Sequence, residues 1–261
     1  MEVIIRKTAA DACTLTARLI AEALRAKPQL VLGLATGRTM ERLYAQLVQM
    51  HREEGLDFSL ASTFNLDEYI GLAPENVHSY RAYMQHHLFD HINIDRRNTH
   101  LPVGNAPDIE EECRRYEQRI AECGGIDLQL LGIGVTGHIG FNEPLSAMRS
   151  RTRAKALTPG TIAQNAPLFD HSDDMPKRAI TMGVGTILES RRSLLLATGT
   201  EKATILAKAV EGPITSMISA SALQWHPRCT VIVDQDAAQH LEQKEYYDWI
   251  FANEPEWEPY R

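Results

Sequence analysis

The chain has 261 residues, 44% hydrophobic and 23% charged, with a formal net charge of −7. That length supports one large domain with a three-layer core, or two small ones. The acidic balance argues against a general nucleic-acid or membrane-surface role, which needs a basic patch, but leaves a small anionic ligand open, since a few local cations and backbone N–H groups hold one phosphate. Cys13, Cys113, Cys123 and Cys229 show no C-x-x-C spacing, so neither a zinc nor a redox motif is visible. The N-terminus is too polar for a signal peptide and no apolar run reaches spanning length, which points to the cytoplasm.

Val3-Ile4-Ile5 reads as a short strand. Thr8 then makes an N-cap, with Asp11 in the first turn and Ala12, Leu15, Leu19 and Ala23 on one helical face. After Pro28, residues 30–34 read as a buried parallel strand. It runs into Ala35-Thr36-Gly37-Arg38-Thr39 and an amphipathic helix carrying Met40, Leu43, Leu47 and Met50. Strand, Thr-Gly-x-Thr, helix is the layout of a phosphate cradle, in which backbone donors and two hydroxyls face the positive end of a helix dipole. A capped turn without a ligand is the commoner origin of so short a string.

A third strand, 62–66, ends in Asp67-Glu68. Adjacent carboxylates there suit a general base, a metal ligand or a solvated loop, and without a clustered His or further acid the metal is the least favoured. His78, His86, His87 and His91 follow; His87 and His91 have helical i, i+4 spacing but lack the Glu of H-E-x-x-H, so they read as surface or core histidines. A helix rich in Glu and Arg spans 108–123 and is stopped by Gly124-Gly125.

The apolar strand 128–131 then breaks into glycines at 132, 134, 137 and 140, with His138 among them and Glu143 five residues beyond it. Open α/β sheets carry their chemistry at the carboxyl ends of strands. There His138 can move a proton near neutrality and Glu143 can orient it, or the two only pair or cap a helix. Residues 145–177 lose regularity and hold Pro159, Gly160, Pro167 and Pro176, as a lid or binding loop does. A strand–turn–helix pattern resumes over 179–188. Another strand, 193–198, closes in Gly199-Thr200-Glu201-Lys202, where Lys202 is either a second cationic handle for an anion or an exposed first-turn lysine. That helix stops at Gly212-Pro213, and a short helix at 219–226 and a last strand at 229–233 complete the pattern. Strands alternating with helices, without repeat or linker, indicate one α/β domain over 1–261 with a mostly parallel sheet.

LATGRT at Leu34 to Thr39, FNLDEYIGL at Phe64 to Leu72, GHIGFNEP at Gly137 to Pro144, SRTR at Ser150 to Arg153, MGVGTIL at Met182 to Leu188, and GTEKA with AVEGP around Lys202 to Pro213 follow one another in order. Through them the sequence resembles the glucosamine-6-phosphate deaminase/isomerase family over nearly its whole length. The resemblance implies a single Rossmann-like α/β domain, its sheet covered by helices on both faces, with a mobile lid near 157–176. It implies conversion of glucosamine 6-phosphate to fructose 6-phosphate and ammonia without metal or organic cofactor. It gives ring opening to His138 with Glu143 as partner and the C2 proton to Asp67. The phosphate falls to Thr36, Gly37 and Thr39, with Lys202 closing over it. An amino-sugar phosphate is then the partner, and both monomers and homo-oligomers occur among such proteins.

The chain also departs from the family pattern. Thr136-Gly137-His138 stands where most such deaminases have Asp-Gly-His, which leaves only Glu143 expected to orient the histidine. Relatives with Asn-Gly-His are assigned to galactosamine 6-phosphate, so Thr136 keeps that epimer, or another phosphosugar isomerised on this fold, in view. A sugar-phosphate sensor without catalysis is a further alternative, disfavoured by the retention of Asp67, His138 and Glu143. A lid arginine that contacts phosphate in relatives aligns with Pro167. Arg38, in a loop that elsewhere reads Gly-Gly-Thr-Pro or Gly-Ser-Thr-Pro, is the residue expected to replace it. Ser146, Arg153 and Lys155 match an activator pocket, whereas Ala156 and the region of Tyr246 to Trp249 do not, so activation is expected to be weak or absent.

Overall fold

A computed structural model of the chain describes residues 1–169, 171 and 174–261. Its first half contains β1 (Glu2–Arg6), α1 (Ala9–Ala26), β2 (Val31–Leu34), α2 (Arg38–Glu54), β3 (Ser62–Asn65), β4 (Asp67–Tyr69), α3 (Tyr80–His87), β5 (Thr99–His100), α4 (Ile109–Glu122) and β6 (Leu128–Leu131). The second half contains β7 (Arg153–Ala156), α5 (Pro159–Asn165), β8 (Arg178–Thr181), α6 (Val184–Leu188), β9 (Arg192–Ala197), α7 (Ala203–Val210), β10 (Cys229–Asp234) and α8 (Lys244–Asn253), with short 3-10 turns between.

Seven strands form one parallel sheet in the order β1-β10-β9-β6-β2-β3-β5. Every residue of β2, β6 and β10 is buried, so helices cover both faces, as an all-parallel sheet requires. The helix ends obey local chemistry. Thr8 and Asp11 close a reciprocal capping box on α1, and Gly55 ends α2 in the left-handed conformation at φ 66°.

The second sheet is the main architectural feature absent from the sequence reading. Asp67–Glu68 do not finish the third strand; they begin β4, which lies with β8 and β7 in a three-stranded antiparallel sheet, Asp67 opposite Thr181. The chain therefore changes sheets at Leu66, and that change turns Asp67 away from the strand end into the space above it. The stretch expected to be irregular supplies both β7 and α5. Helix α3 ends at His87, so His87 and His91 do not share a helix. The short helix expected at 219–226 is a 3-10 turn, Ser219–Trp225.

Thr158 caps α5, and Pro159 opens it. The segment packs on a small apolar cluster of Tyr69, Phe141, Leu157, Phe169, Met175 and Ala179, separate from the main core. Asp170, Ser172 and Asp173, which belong to the lid expected at 157–176, lie outside the described residues. Among the described residues no helix is long and apolar enough to cross a membrane.

Candidate active site

A cavity of about 440 Å³ opens at the carboxyl ends of β2, β3, β6 and β9. Its wall includes Thr36 to Met40 after β2, Asp67, Gly132 to Val135 and His138 after β6, and Lys202 after β9; Thr161, Gln164, Asn165 and Leu168 of the lid segment close it from above. A larger cavity of about 760 Å³ lies between α4 and β7. None of the residues singled out for catalysis or phosphate binding lines it, and its Arg114 and Arg151 are already paired with Glu111, Glu117 and Glu189.

The Thr36–Thr39 turn is shaped for an anion. Gly37 precedes α2 at φ 123° and ψ 166°, a conformation reserved for glycine, and no side chain caps the N–H groups of the first turn. The first-turn residues Arg38, Thr39 and Met40, at the positive end of a 17-residue helix, line the cavity. Tyr83 donates to the Gly37 carbonyl at 2.8 Å, and Tyr44 to that of Ala35 at 2.5 Å, which fixes the turn from behind. Arg38 lines the rim and is exposed. Lys202 is half-buried, and burial brings its ammonium below the usual lysine range. Its loop is anchored where Asp234 accepts the Gly199 N–H at 3.0 Å.

Asp67 and its neighbour have different tasks. Glu68 turns to the start of α3, where it accepts the backbone N–H groups of Tyr80 and Arg81 at 3.0 Å each. Asp67 lines the cavity with no hydrogen-bond partner for its carboxyl among the described residues. Burial, with the charge of Glu68 added, pushes it up to about 8. A carboxylate of that basicity takes a proton from carbon more readily than an ordinary one.

The loop after β6 is held by its own residues and by Thr181 and Met182. Gly134 donates to the His138 carbonyl at 2.9 Å, Phe141 N–H donates to Thr181 Oγ1 at 3.0 Å, and Asn142 Nδ2 donates to the carbonyls of Ile139 and Met182 at 2.8 Å. Glycine at 134 makes room for the imidazole where it stands, because a Cβ there would lie 2.1 Å from His138 Nε2. His138 Nδ1 sits 3.1 Å from Glu143 Oε2 and 2.7 Å from the Thr136 hydroxyl. Thr136 in turn donates to Glu143 Oε2 at 3.1 Å. Glu143 Oε1 accepts from the hydroxyls of Thr158, at 3.1 Å, and Thr161 in the lid segment. Burial pushes the Glu143 carboxyl up, but the hydrogen bond and charge of His138, with the Thr161 hydroxyl and the Thr158 N–H, outweigh it and bring it down to about 2.

Residues 5–232 match the model of the family described as glucosamine-6-phosphate isomerases/6-phosphogluconolactonase. A glucosamine-6-phosphate deaminase of Hahella chejuensis is 51% identical over 250 residues, covering 94% of this chain and 95% of its own. One from Geobacillus sp. (strain WCH70) is 52% identical over 221 residues, covering 85% and 88%. The solved structure of a monomeric glucosamine-6-phosphate deaminase superposes with a TM-score of 0.90 at 45% identity, covering 92% of this chain and all of that one. The chain belongs to the glucosamine-6-phosphate deaminase family. A 6-phosphogluconolactonase from Trypanosoma cruzi, TM-score 0.74 at 21% identity, shares the fold.

Against this deaminase family, the eight residues singled out from sequence divide cleanly. Asp67, His138, Thr36, Gly37, Arg38, Thr39 and Lys202 line one cavity, and Glu143 stands behind His138. One expectation is corrected: Glu143 is not the sole group on the histidine, because the Thr136 hydroxyl is the nearer partner of Nδ1. Pro167 sits in the turn Ala166–Leu168 and does not line the cavity. Ser146 and Arg153 meet at 3.1 Å, and Arg153 also holds Asn142. Sequence reasoning passed over Tyr80, which lines the cavity and donates to the Tyr69 hydroxyl at 3.1 Å, and the lid threonines 158 and 161. Only the S/T-x-x-T pattern of a helix start hinted at the latter.

Proposed function

We propose that the chain is a glucosamine-6-phosphate deaminase, converting glucosamine 6-phosphate and water to fructose 6-phosphate and ammonia. The observation that carries this reading is one cavity holding a strong carboxylate base, an oriented imidazole and an anion cradle. The phosphate lies on the α2 N-terminus with Thr36, Gly37, Arg38 and Thr39, and Lys202 adds a charge-assisted donor. His138 moves a proton between the ring oxygen and O1, which opens the sugar. Asp67 takes the C2 proton and returns it at C1, turning the 2-amino aldose into a 2-imino ketose. Water adds at C2, and ammonia leaves with the proton it needs. Every step is a proton transfer, an addition of water or the loss of ammonia once it is protonated, which these side chains can serve.

A base placed for a C–H proton distinguishes this reading from lactone hydrolysis, which needs no carbon acid. All four cysteines are free thiols, and we infer a cytoplasmic enzyme. The test is ammonia release from glucosamine 6-phosphate and galactosamine 6-phosphate, with 6-phosphogluconolactone hydrolysis measured alongside and Asp67→Asn as control. Ammonia from the gluco epimer, lost in the control, is the expected result. Turnover of the galacto epimer alone moves the assignment to that activity, and lactone hydrolysis without ammonia defeats it.

A further inference from the structure

The Thr136 side chain occupies a place where its single proton and its lone pairs are both committed. Its oxygen is 2.7 Å from His138 Nδ1 and 3.1 Å from Glu143 Oε2, while Nδ1 and Oε2 are themselves 3.1 Å apart. We propose that Thr136 is the positioning residue of His138, a hydroxyl bridge between the ring and Glu143 that fixes the ring's orientation and its tautomer. The inference rests on the deaminase reading for its catalytic consequence, though not for its geometry.

The proton count decides the direction of the bridge. If the hydroxyl gave its proton to Nδ1, that nitrogen would present a lone pair to the ring's other neighbour, a carboxylate oxygen 3.1 Å away, and two acceptors would face each other unpaired. With the hydroxyl donating to Oε2, Nδ1 keeps its proton and gives it to Thr136 Oγ1, the nearer acceptor. All contacts in the triangle are then donor to acceptor. The neutral ring carries its proton on Nδ1 and leaves Nε2 bare, with no hydrogen-bond partner among the described residues. A bare Nε2 is the form that can accept a sugar hydroxyl proton.

The carboxylate is fixed in the same way from its other side. Glu143 Oε1 takes Thr158 and Thr161, so Oε2 is left for His138 and Thr136 alone. One ionised group and one neutral hydroxyl thus hold the ring, and no second negative charge is brought within reach of Glu143. Two carboxylates at that separation would drive one of them to protonate.

Three proteins test the bridge: wild type, Thr136→Val, which keeps the volume and branching but not the hydroxyl, and Thr136→Ser, which keeps the hydroxyl. We expect Thr136→Val to lower kcat for ammonia release about tenfold to a hundredfold with KM within about twofold, and Thr136→Ser to recover most of the loss. An unchanged kcat in Thr136→Val overturns the proposal, and so does a loss in Thr136→Ser as large as in Thr136→Val. Two-bond ¹H–¹⁵N spectra of histidine-labelled wild type, taken at the alkaline end of a pH series and assigned with His138→Gln, supply a readout that needs no substrate. A His138 proton on Nδ1 is expected; a proton on Nε2 overturns the bridge, even if Thr136→Val does not fold. A wild type that releases no ammonia defeats the functional reading and leaves the bridge to the spectrum.

Discussion

Asp67, at the junction of β3 and β4, keeps 6% of its surface exposed, and Glu143, in the loop after β6, keeps 3%. Two carboxyls so little exposed, serving one cavity, are pushed in opposite directions. Asp67 gains nothing for the water it loses, has Glu68 beside it in sequence, and rises to about 8. Glu143 lies less deep, is surrounded by an imidazole and three threonine hydroxyls, and falls to about 2. Depth of burial, the neighbouring charge and the donors that face each carboxyl together set its charge state here. The outcome separates the roles. The group proposed to take a proton from carbon is left unsolvated and basic, and the group proposed to stay ionised behind the histidine is solvated by protein.

The largest effect should come from the basic member. Asp67→Asn is expected to lower ammonia release by about 10²–10⁴; a variant keeping a tenth of wild-type activity would break the contrast. The pH dependence sharpens it. In the free enzyme kcat/KM should rise with pH up to about 8, where Asp67 ionises, and flatten above. Stability runs the other way. A carboxyl whose value is raised on folding binds its proton more tightly in the folded chain, so its contribution falls between about pH 4 and the raised value. Asp67→Asn removes that loss and should melt higher than wild type above pH 8, by about 2–4 °C per kcal/mol, with the advantage fading near about pH 4. An advantage independent of pH would show that Asp67 keeps an ordinary carboxylate value.

On the other side of the contrast, the histidine held by Glu143 can be moved without substituting any titrating group. Gly134→Ala puts a methyl where His138 Nε2 now lies, at 2.1 Å, and the imidazole ring must swing away. A misplacement of that order costs about 10²-fold in rate. Activity within threefold of wild type would mean that the ring has room that the geometry denies it.

Thr161→Val probes Glu143 more gently. It removes one donor from Oε1, which Thr158 still serves, and should cost about 1 kcal/mol at neutral pH, a melting shift of about 2–4 °C. A carboxyl held below its ordinary value contributes stability above that value and loses it as pH falls through the folded one, here about 2. The melting curves of Thr161→Val and wild type should accordingly converge in acid. A gap constant with pH would assign the loss to packing.

How much of this was legible follows from what periodicity encodes. Leu30 to Leu34 is apolar throughout and Cys229 to Val233 is apolar but for Thr230, and a buried parallel strand has no other signature. In the second sheet only β8 carries it. Strand β7 reads Arg-Ala-Lys-Ala and β4 Asp-Glu-Tyr, and neither run is apolar or follows a turn signal. They are strands because β8 lies between them. The cavity residues were found because Gly37, Gly134 and Lys202 sit at strand ends, where the parallel fold gathers its chemistry. The Thr136 contact was not found, because a hydroxyl in place of a carboxylate reads as a loss until distances show that it meets the ring.

Arg38 supplies the smallest effect and extends the contrast from buried charge to exposed charge at one cavity. Its guanidinium stands at the rim, in water, on the first residue of α2. A contact from there to a phosphate is screened and flexible, unlike the half-buried Lys202, and such contacts are worth roughly 1 kcal/mol or less. Arg38→Ala should therefore raise KM for glucosamine 6-phosphate about threefold to fivefold with kcat held, and the difference should shrink as salt is added. That pattern would give Arg38 the cationic role that Pro167, outside the cavity wall, does not fill. A KM that does not move would remove Arg38 from the site and leave the phosphate to Lys202 and the N–H groups of the α2 turn.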